Sequence, residues 1–205
     1  MKIVNCIQGS AEWLDARRGR PTASRFSAIV TATGKATTGQ SRRSYMLELL
    51  GERLTGSVTE HYVSAAMQRG TDLEPRARAW YELTTGRAVE QVGFVLARGS
   101  TWGASPDGLT DTGGIEIKCL GRPAHLDALL TRKVPPDYAV QMQACMWVCR
   151  RKTWDFVLFT DEDGIPSATW AVEADPQMHK AFAEHVPVFC KELAAMEKQI
   201  QALAE

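Results

Sequence analysis

The sequence lacks the features that mark membrane proteins and strongly basic DNA-binding proteins. No window contains the long apolar run that a membrane span needs. The N-terminal segment MKIVNCIQGS is too short and too polar for a signal peptide. Lys and Arg number 24 and Asp and Glu number 24, so the formal net charge is zero. A polyanionic substrate would therefore have to meet positive charge that is concentrated locally.

Cysteine is sparse, and its pattern favours a reducing cytoplasm over a disulfide scaffold. The five cysteines are scattered and odd in number, which indicates a reducing cytoplasm. Cys145 and Cys149 lie four residues apart, but iron–sulfur motifs hold their cysteines in denser runs. We therefore expect these thiols to pack in the core.

Apolar periodicity and turn residues predict a mixed α/β fold. The chain has no repeats, no low-complexity tract and no evident linker, so we expect one domain over residues 1–205. Ser10 and Thr22 are predicted to cap two short helices, and Pro75 to kink or restart a later one. Helices, three strands, helices, two strands and a long helix follow one another, which favours a central mixed sheet flanked by helices. The strands are predicted at 88–97, 101–110, 114–120, 153–161 and 167–174.

The stretch SPDGLTDTGGIEIKCL, residues 105–120, brings three charged side chains onto a short hairpin. Alternate residues of a strand share a face, so Glu116 and Lys118 point one way while Ile115 and Ile117 point the other. Asp107 lies across the hairpin from them. Two acids and one amine can then converge on one small volume.

Such a trio favours a divalent cation, because two carboxylates held close repel each other. Oxygen ligands suit Mg²⁺ or Mn²⁺. The cation would bind a phosphate oxygen and activate water, and Lys118 would orient or deprotonate that water if nearby cations and desolvation lower its pKa. The alternative for an isolated E-x-K triplet is a surface salt bridge.

Four blocks in order resemble the phage λ exonuclease and YqaJ-like viral recombinase family, within the PD-(D/E)xK nuclease superfamily. They are EWLDARRGRPTAS (12–24), RGTDLEPRARAWYELTTG (69–86), the hairpin SPDGL…GIEIKC (105–119) and VQMQACMWV (140–148). The resemblance covers roughly residues 10 to 190. It implies a restriction-endonuclease-like core around a central mixed β-sheet.

The resemblance also implies roles for individual residues. Asp107, Glu116 and the backbone carbonyl of Ile117 would bind the metal, with Glu74 reaching it directly or through water. Lys118 would be the catalytic lysine, and Gln143, rather than Gln141, the glutamine at the active site. Arg17 and Ser24 would bind the 5′-terminal phosphate of DNA.

Three of these residues also have a purely structural interpretation. Arg17 offers a planar fork of donors suited to phosphate, but it also fits a solvated basic cluster with Arg18 and Arg20. Ser24 fits a helix cap as well as an anion site. Glu74 fits an ion pair with Arg78, four residues further along a helix.

Weaker candidates surround this set. Gln141, Lys35, Arg122 and Met67 are possible DNA contacts, Met67 as an apolar wedge at the duplex end. The alternatives are a solvated loop for Lys35 and core packing for Met67. His61 is a possible further metal ligand by resemblance. The turn LGRPAHL departs from the family pattern after the lysine strand, and Pro75 directly follows Glu74.

The resemblance implies a 5′-to-3′ exodeoxyribonuclease that uses two Mg²⁺ ions, with Mn²⁺ as a substitute. It would degrade one strand of linear duplex DNA, release 5′-mononucleotides and leave a 3′ single-stranded tail. The implied partner is a single-strand annealing recombinase, and the implied assembly is a homotrimeric ring around DNA. We expect a phage or prophage protein in the bacterial cytoplasm. The alternatives are a structure-specific or restriction-type endonuclease and a non-catalytic DNA-end binder.

Overall fold

The protein consists of two small β-sheets packed against helices, in a computed structural model that describes residues 1–59, 62–97, 99 and 101–203. The α-helices are α1 (Ala11–Arg17), α2 (Gln40–Thr55), α3 (Ala65–Thr85), α4 (Arg122–Thr131), α5 (Pro136–Cys149) and α6 (Pro176–Gln201). The strands are β1 (Lys2–Val4), β2 (Phe94–Leu96), β3 (Gly103–Ala104), β4 (Gly108–Leu109), β5 (Gly114–Lys118), β6 (Thr153–Leu158) and β7 (Ala168–Glu173). A 3-10 helix spans Ala23–Ala28.

The larger sheet is mixed and contains the hairpin that the sequence predicts. Its strand order is β4-β5-β6-β7. β5 is antiparallel to β4 and parallel to β6. A parallel neighbour needs a long crossover, and α4 and α5 supply it between β5 and β6. The prediction of a mixed sheet flanked by helices is thus confirmed.

The alternation along β5 separates an apolar face from a charged one. Ile115 and Ile117 pack with Leu73, Ala77 and Tyr81 of α3, which recur every four residues and so share one helix face. The side chains between the two isoleucines point to the opposite face, where α5 lies. α5 is buried around most of its circumference. The strand thus presents its charged residues to a mostly apolar helix.

The smaller sheet, of order β1-β2-β3, departs from the sequence-based prediction. β1 was not expected, and the strand predicted at 88–97 narrows to Phe94–Leu96. The strand predicted at 101–110 splits into β3 and β4, which belong to different sheets. Pro106 lies in the break, where its missing N–H prevents a continuous ladder.

The predicted helix boundaries hold at α1 but not at the following segment. Ser10 caps α1 by accepting the N–H of Trp13. Thr22 makes no side-chain cap, contrary to prediction, and its segment is a 3-10 helix. α3 continues through Pro75 as one helix, so the predicted restart is wrong. Across the described part of the chain, no helix is long and apolar enough to cross a membrane.

Candidate active site

The hairpin between β4 and β5 places Asp107 opposite Glu116. The ladder pairs Leu109 with Gly114 and Gly108 with Ile115, so the next position sets these two acids against each other. Asp107 also extends the ladder with its side chain, because its Oδ2 accepts the N–H of Ile117 at 2.6 Å. The hairpin therefore holds the Asp107 carboxylate in place and brings it close to Glu116.

Glu116 has one oxygen engaged and one without a partner. Its side chain is 1% exposed. Oε1 accepts hydrogen bonds from Lys118 Nζ and from Gln141 Nε2, each at 2.6 Å. Oε2 is buried and has no hydrogen-bond partner among the described residues. Burial raises the pKa of Glu116 to about 7, against the opposing charge of Lys118. A buried carboxylate oxygen left unpaired is costly, so Oε2 is suited to receive a ligand.

Lys118 lies between Glu116 and an aromatic ring. Its ammonium is 4.9 Å from the centre of the Tyr138 ring. Burial alone would lower the pKa of Lys118, but the carboxylates of Glu116 and Asp107 outweigh burial and hold it above its ordinary value. Without a bound cation the pKa of Lys118 is therefore raised, because the neighbouring charges are negative, and the lowered pKa expected beside a cation stays a prediction.

Glu74 reaches the site from α3 together with Arg78. Arg78 is 8% exposed and pairs with Glu74 Oε1, four residues back on the helix. The same guanidinium nitrogen donates to the backbone carbonyl of Asp107 at 3.2 Å. Burial and the charge of Asp107 raise the pKa of Glu74. Arg78 thus links Glu74 of α3 to Asp107 of the hairpin. The ion pair between Glu74 and Arg78, which was the structural interpretation of Glu74, is present.

The donor set fits a hard, weakly chelated cation. Within the residues that the structure describes, no group of three or more His, Cys, Asp or Glu side chains is arranged around one ion position. Mg²⁺ does not need such a cage, because it keeps several waters and binds one or two carboxylates together with substrate phosphates. Asp107 and the unpartnered Oε2 of Glu116 could supply those carboxylates. The Ile117 carbonyl points to the same edge as its N–H, where Asp107 lies.

A wide cavity of about 1610 Å³ lies beside α1 and contains both predicted phosphate ligands, Arg17 and Ser24. Arg17 stacks over the Trp13 ring at 4.2 Å. Its guanidinium donates to Ser105 Oγ at 2.9 Å and to Thr22 Oγ1 at 3.5 Å. Thr22 Oγ1 in turn lies 3.3 Å from Ser24 Oγ. Arg17 and Ser24 therefore belong to one polar network.

Ser105 joins this cavity to the hairpin. It precedes Asp107 by two residues and accepts hydrogen bonds from both Arg17 and the Trp13 indole, each at 2.9 Å. The polar network around Arg17 is thus separated from the candidate metal ligand Asp107 by only two residues of backbone. Sequence reasoning missed Ser105, although its place directly before Pro-Asp was a usable signal.

The turn after α1 fixes the cavity from the other side. Gly19 adopts φ +65°, and a Cβ there would lie 2.5 Å from Arg53 Cγ. The Gly19 N–H donates to the buried Glu52 at 2.7 Å. Glycine is required here by both conformation and space, and the turn positions the end of the helix that carries Arg17.

The structure places Gln141, not Gln143, at the site. Gln143 donates to the Glu173 carbonyl at 2.9 Å and accepts the Asp175 N–H at 2.8 Å, so it ties α5 to the start of α6. Positions two apart on a helix are about 200° apart around the axis, so only one of the pair can face Glu116. The preference for Gln143 was wrong.

The weaker candidates are dispersed. Lys35 is exposed in a turn, and its backbone bonds with Thr31. Arg122 pairs with Glu162 at 2.8 Å. Met67 is 57% exposed and lines the same cavity as Arg17. His61 lies outside the described residues.

Comparison with known proteins shows which family the chain resembles. Residues 12–153 match the model of the YqaJ-like viral recombinase domain family. A comparison with curated protein sequences gives no match.

Solved structures resemble the chain over nearly all of its length. The crystal structure of an alkaline exonuclease (LHK-Exo) from Laribacter hongkongensis matches with 39% identity and a TM-score of 0.86, covering 95% of this chain and 98% of that one. LHK-Exo in complex with dAMP matches with 39% identity, the same coverage and a TM-score of 0.85. A phage-related exonuclease from Haemophilus somnus 129PT, at 18% identity, TM-score 0.61 and coverage of 90% and 96%, shares the fold. The chain therefore belongs to the YqaJ-like viral recombinase domain family.

Proposed function

We propose that the protein is a metal-dependent exodeoxyribonuclease that degrades one strand of linear duplex DNA from its 5′ end. It would release 5′-mononucleotides and leave a 3′ single-stranded overhang. The observation that carries the proposal is the unpaired, buried Oε2 of Glu116 opposite Asp107, with Lys118 held against the same carboxylate. The exonuclease relatives at 39% identity support this class of reaction.

The chain's own residues divide the work around the scissile phosphate. A bound Mg²⁺ or Mn²⁺, with two per site as our proposal, would supply charge neutralisation and an acidified water. Asp107, Glu116 and the Ile117 carbonyl would hold it, with Glu74 at the periphery. Lys118 is protonated in its ion pair, so it donates hydrogen bonds and positive charge to the attacking water or phosphate. Gln141 fixes the rotamer of Glu116.

Arg17 and Ser24 are proposed to bind the 5′-terminal phosphate, which would set direction and register. The guanidinium is planar, stacked on Trp13 and held by Ser105, so it is preorganised for a phosphate oxygen pair. A relative solved in complex with dAMP supports a nucleotide site in this family. Met67 lines the same cavity, where an apolar wedge would meet the terminal base pair.

Assembly and partners are proposed from the family resemblance. A homotrimeric ring would enclose DNA, and its channel needs positive charge only locally, which agrees with a net charge of zero. A single-strand annealing recombinase would receive the 3′ tail. The setting would be phage or prophage recombination in a bacterial cytoplasm.

Digestion of linear duplex DNA tests the proposal. Duplexes with a 5′-phosphate or a 5′-hydroxyl carry a label on the base of either the 5′- or the 3′-terminal nucleotide and are incubated with Mg²⁺, Mn²⁺ or EDTA. We expect early release of the 5′ label as mononucleotide, faster with the phosphate, and no cutting in EDTA. Early release of the 3′ label would reverse the polarity.

Closed circular DNA separates the proposal from its alternatives. An exonuclease leaves a closed plasmid intact, whereas a structure-specific or restriction-type endonuclease nicks it. A non-catalytic end binder cuts neither substrate but lowers the electrophoretic mobility of the linear duplex by binding it.

A further inference from the structure

Three arginines, from α3 and α4, form ion pairs with two acidic residues of the loop between β6 and β7. Arg69 and Arg76 of α3 contact the two oxygens of Asp161, at 2.9 Å and 3.1 Å. Arg122, the first residue of α4, donates from Nε and Nη2 to Glu162 Oε2, both at 2.8 Å. Asp161 thus bridges two guanidinium groups from one helix, and Glu162 holds a third from another.

The acidic loop, residues 159–167, begins beside the candidate active site. Its first residue, Phe159, donates its N–H to the carbonyl of Lys118 at 3.0 Å. Arg122 follows Lys118 by four residues. Arg69 pairs with Asp161, two residues after Phe159. The three arginines and the acidic loop therefore lie next to the end of β5 that carries Lys118.

Local hydrogen bonds fix the loop in this conformation. Ser167 Oγ accepts the N–H of Thr160 at 3.0 Å and donates to the Thr160 carbonyl at 3.3 Å. The N–H of Glu162 donates to Thr160 Oγ1 at 3.2 Å. The two carboxylates are thus presented by an ordered turn, and little further ordering is needed to keep them opposite the arginines.

The ion pairs are weak enough to be exchanged. The side chains of Arg76 and Arg122 are 63% and 68% exposed. Exposed ion pairs of this kind contribute little to stability, because water screens them. Guanidinium groups bind phosphate with matching fork geometry and are less hydrated than an ammonium. A DNA phosphate that enters this region can therefore replace a carboxylate at small cost.

We propose that Arg69, Arg76 and Arg122 form a second DNA-phosphate binding surface, which Asp161 and Glu162 occupy in the DNA-free protein. This inference rests on the proposed function, because it takes duplex DNA as the ligand. The carboxylates stand where phosphate oxygens would bind. The loop would thereby tune affinity and let DNA advance without strong retention at any one step.

Binding of a fluorescent linear duplex in EDTA, measured by anisotropy at several salt concentrations, tests this inference. Asp161→Asn frees two arginines and should tighten binding roughly threefold at low salt. Arg76→Ala should weaken binding at all sequences and reduce the slope of log K against log salt by about one. Glu162→Gln should act like Asp161→Asn through Arg122.

Glu192→Gln is the matched control, since it releases Arg42 from a 2.8 Å ion pair between α2 and α6 with the same change in charge. It should leave DNA affinity unchanged. The inference is overturned if Asp161→Asn and Arg76→Ala bind as the wild type does, or if Glu192→Gln tightens binding as much as Asp161→Asn.

Digestion by the wild type in Mg²⁺ keeps the two proposals distinguishable. Cutting by the wild type, with unaltered binding in the loop variants, removes only the second surface. Absence of cutting, with the predicted binding changes, removes the nuclease proposal and leaves the surface in place.

Discussion

Gln141 donates its side-chain amide to Oε1 of Glu116 at 2.6 Å, so helix α5 determines which carboxylate oxygen is left free. Lys118 contacts the same oxygen. Both donors therefore leave Oε2 open on a side chain that is almost completely buried. This selection of one oxygen is what makes the hairpin suited to a cation rather than to a closed salt bridge.

Gln141→Ala and Gln143→Ala form a matched pair on one helix. Loss of Gln141 frees the Glu116 side chain, so we expect a roughly 10- to 100-fold fall in activity or metal affinity. Loss of Gln143 removes two hydrogen bonds to the segment before α6 and should cost about 1 kcal/mol each in stability with activity retained. Steady-state digestion and urea unfolding measure both. Equal loss of activity in the two variants would contradict the assignment.

Metal affinity should depend on pH through Glu116. Burial raises the pKa of this carboxyl to about 7, so below pH 7 a cation must displace a proton from the folded protein. Apparent Mg²⁺ affinity should then fall by roughly tenfold per pH unit on acidification below pH 7. The rise in Tm on adding Mg²⁺ should be larger at pH 8 than at pH 6. Glu116→Gln should abolish the rise; a pH-independent shift would contradict the prediction.

Arg78→Lys should weaken the site without disturbing the fold. One ammonium cannot reproduce the two nitrogens, Nε and Nη2, that contact the Asp107 carbonyl while Nη2 also contacts Glu74. We expect a higher Mg²⁺ concentration for half-maximal activity, by roughly tenfold. Arg87→Lys is the control, since Arg87 pairs with Asp155 at the other end of α3. An unchanged Mg²⁺ requirement in Arg78→Lys would show that Arg78 positions nothing.

Arg17→Ala should remove discrimination between phosphorylated and unphosphorylated 5′ ends. Loss of a charged hydrogen bond costs about 1.5 to 3 kcal/mol, so cutting of phosphorylated ends should slow by roughly 10- to 100-fold. Unphosphorylated ends should be cut as before. Arg18→Ala is the control, because Arg18 pairs with Asp15 at 2.6 Å. A retained phosphate preference in Arg17→Ala would exclude the assigned role.

Local periodicity made the catalytic hairpin predictable. The two-residue repeat of a strand assigns Glu116 and Lys118 to one face regardless of what packs there, and the turn TDTGG sets Asp107 opposite. The same local logic applies to α3, because its apolar residues recur at helical spacing and Gly86 ends it in the left-handed conformation.

Features that depend on tertiary packing could not be predicted from the sequence. The choice between Gln141 and Gln143 depends on the rotation of α5, and α5 is buried on so many sides that its pattern shows no preferred face. β1 has three residues and exists because it pairs with β2, about ninety residues away, which no local signal reports. Thr22 was predicted to cap a helix, but its hydroxyl instead contacts the side chains of Arg17 and Ser24, which both lie within hydrogen-bond distance.

The most direct test of the account is Lys118→Ala assayed on a linear duplex in Mg²⁺, together with its DNA affinity in EDTA. The account predicts that the rate of nucleotide release falls by roughly 10²- to 10⁴-fold while DNA binding stays at the wild-type value. Release at the wild-type rate, or a loss of binding that equals the loss of rate, would contradict it.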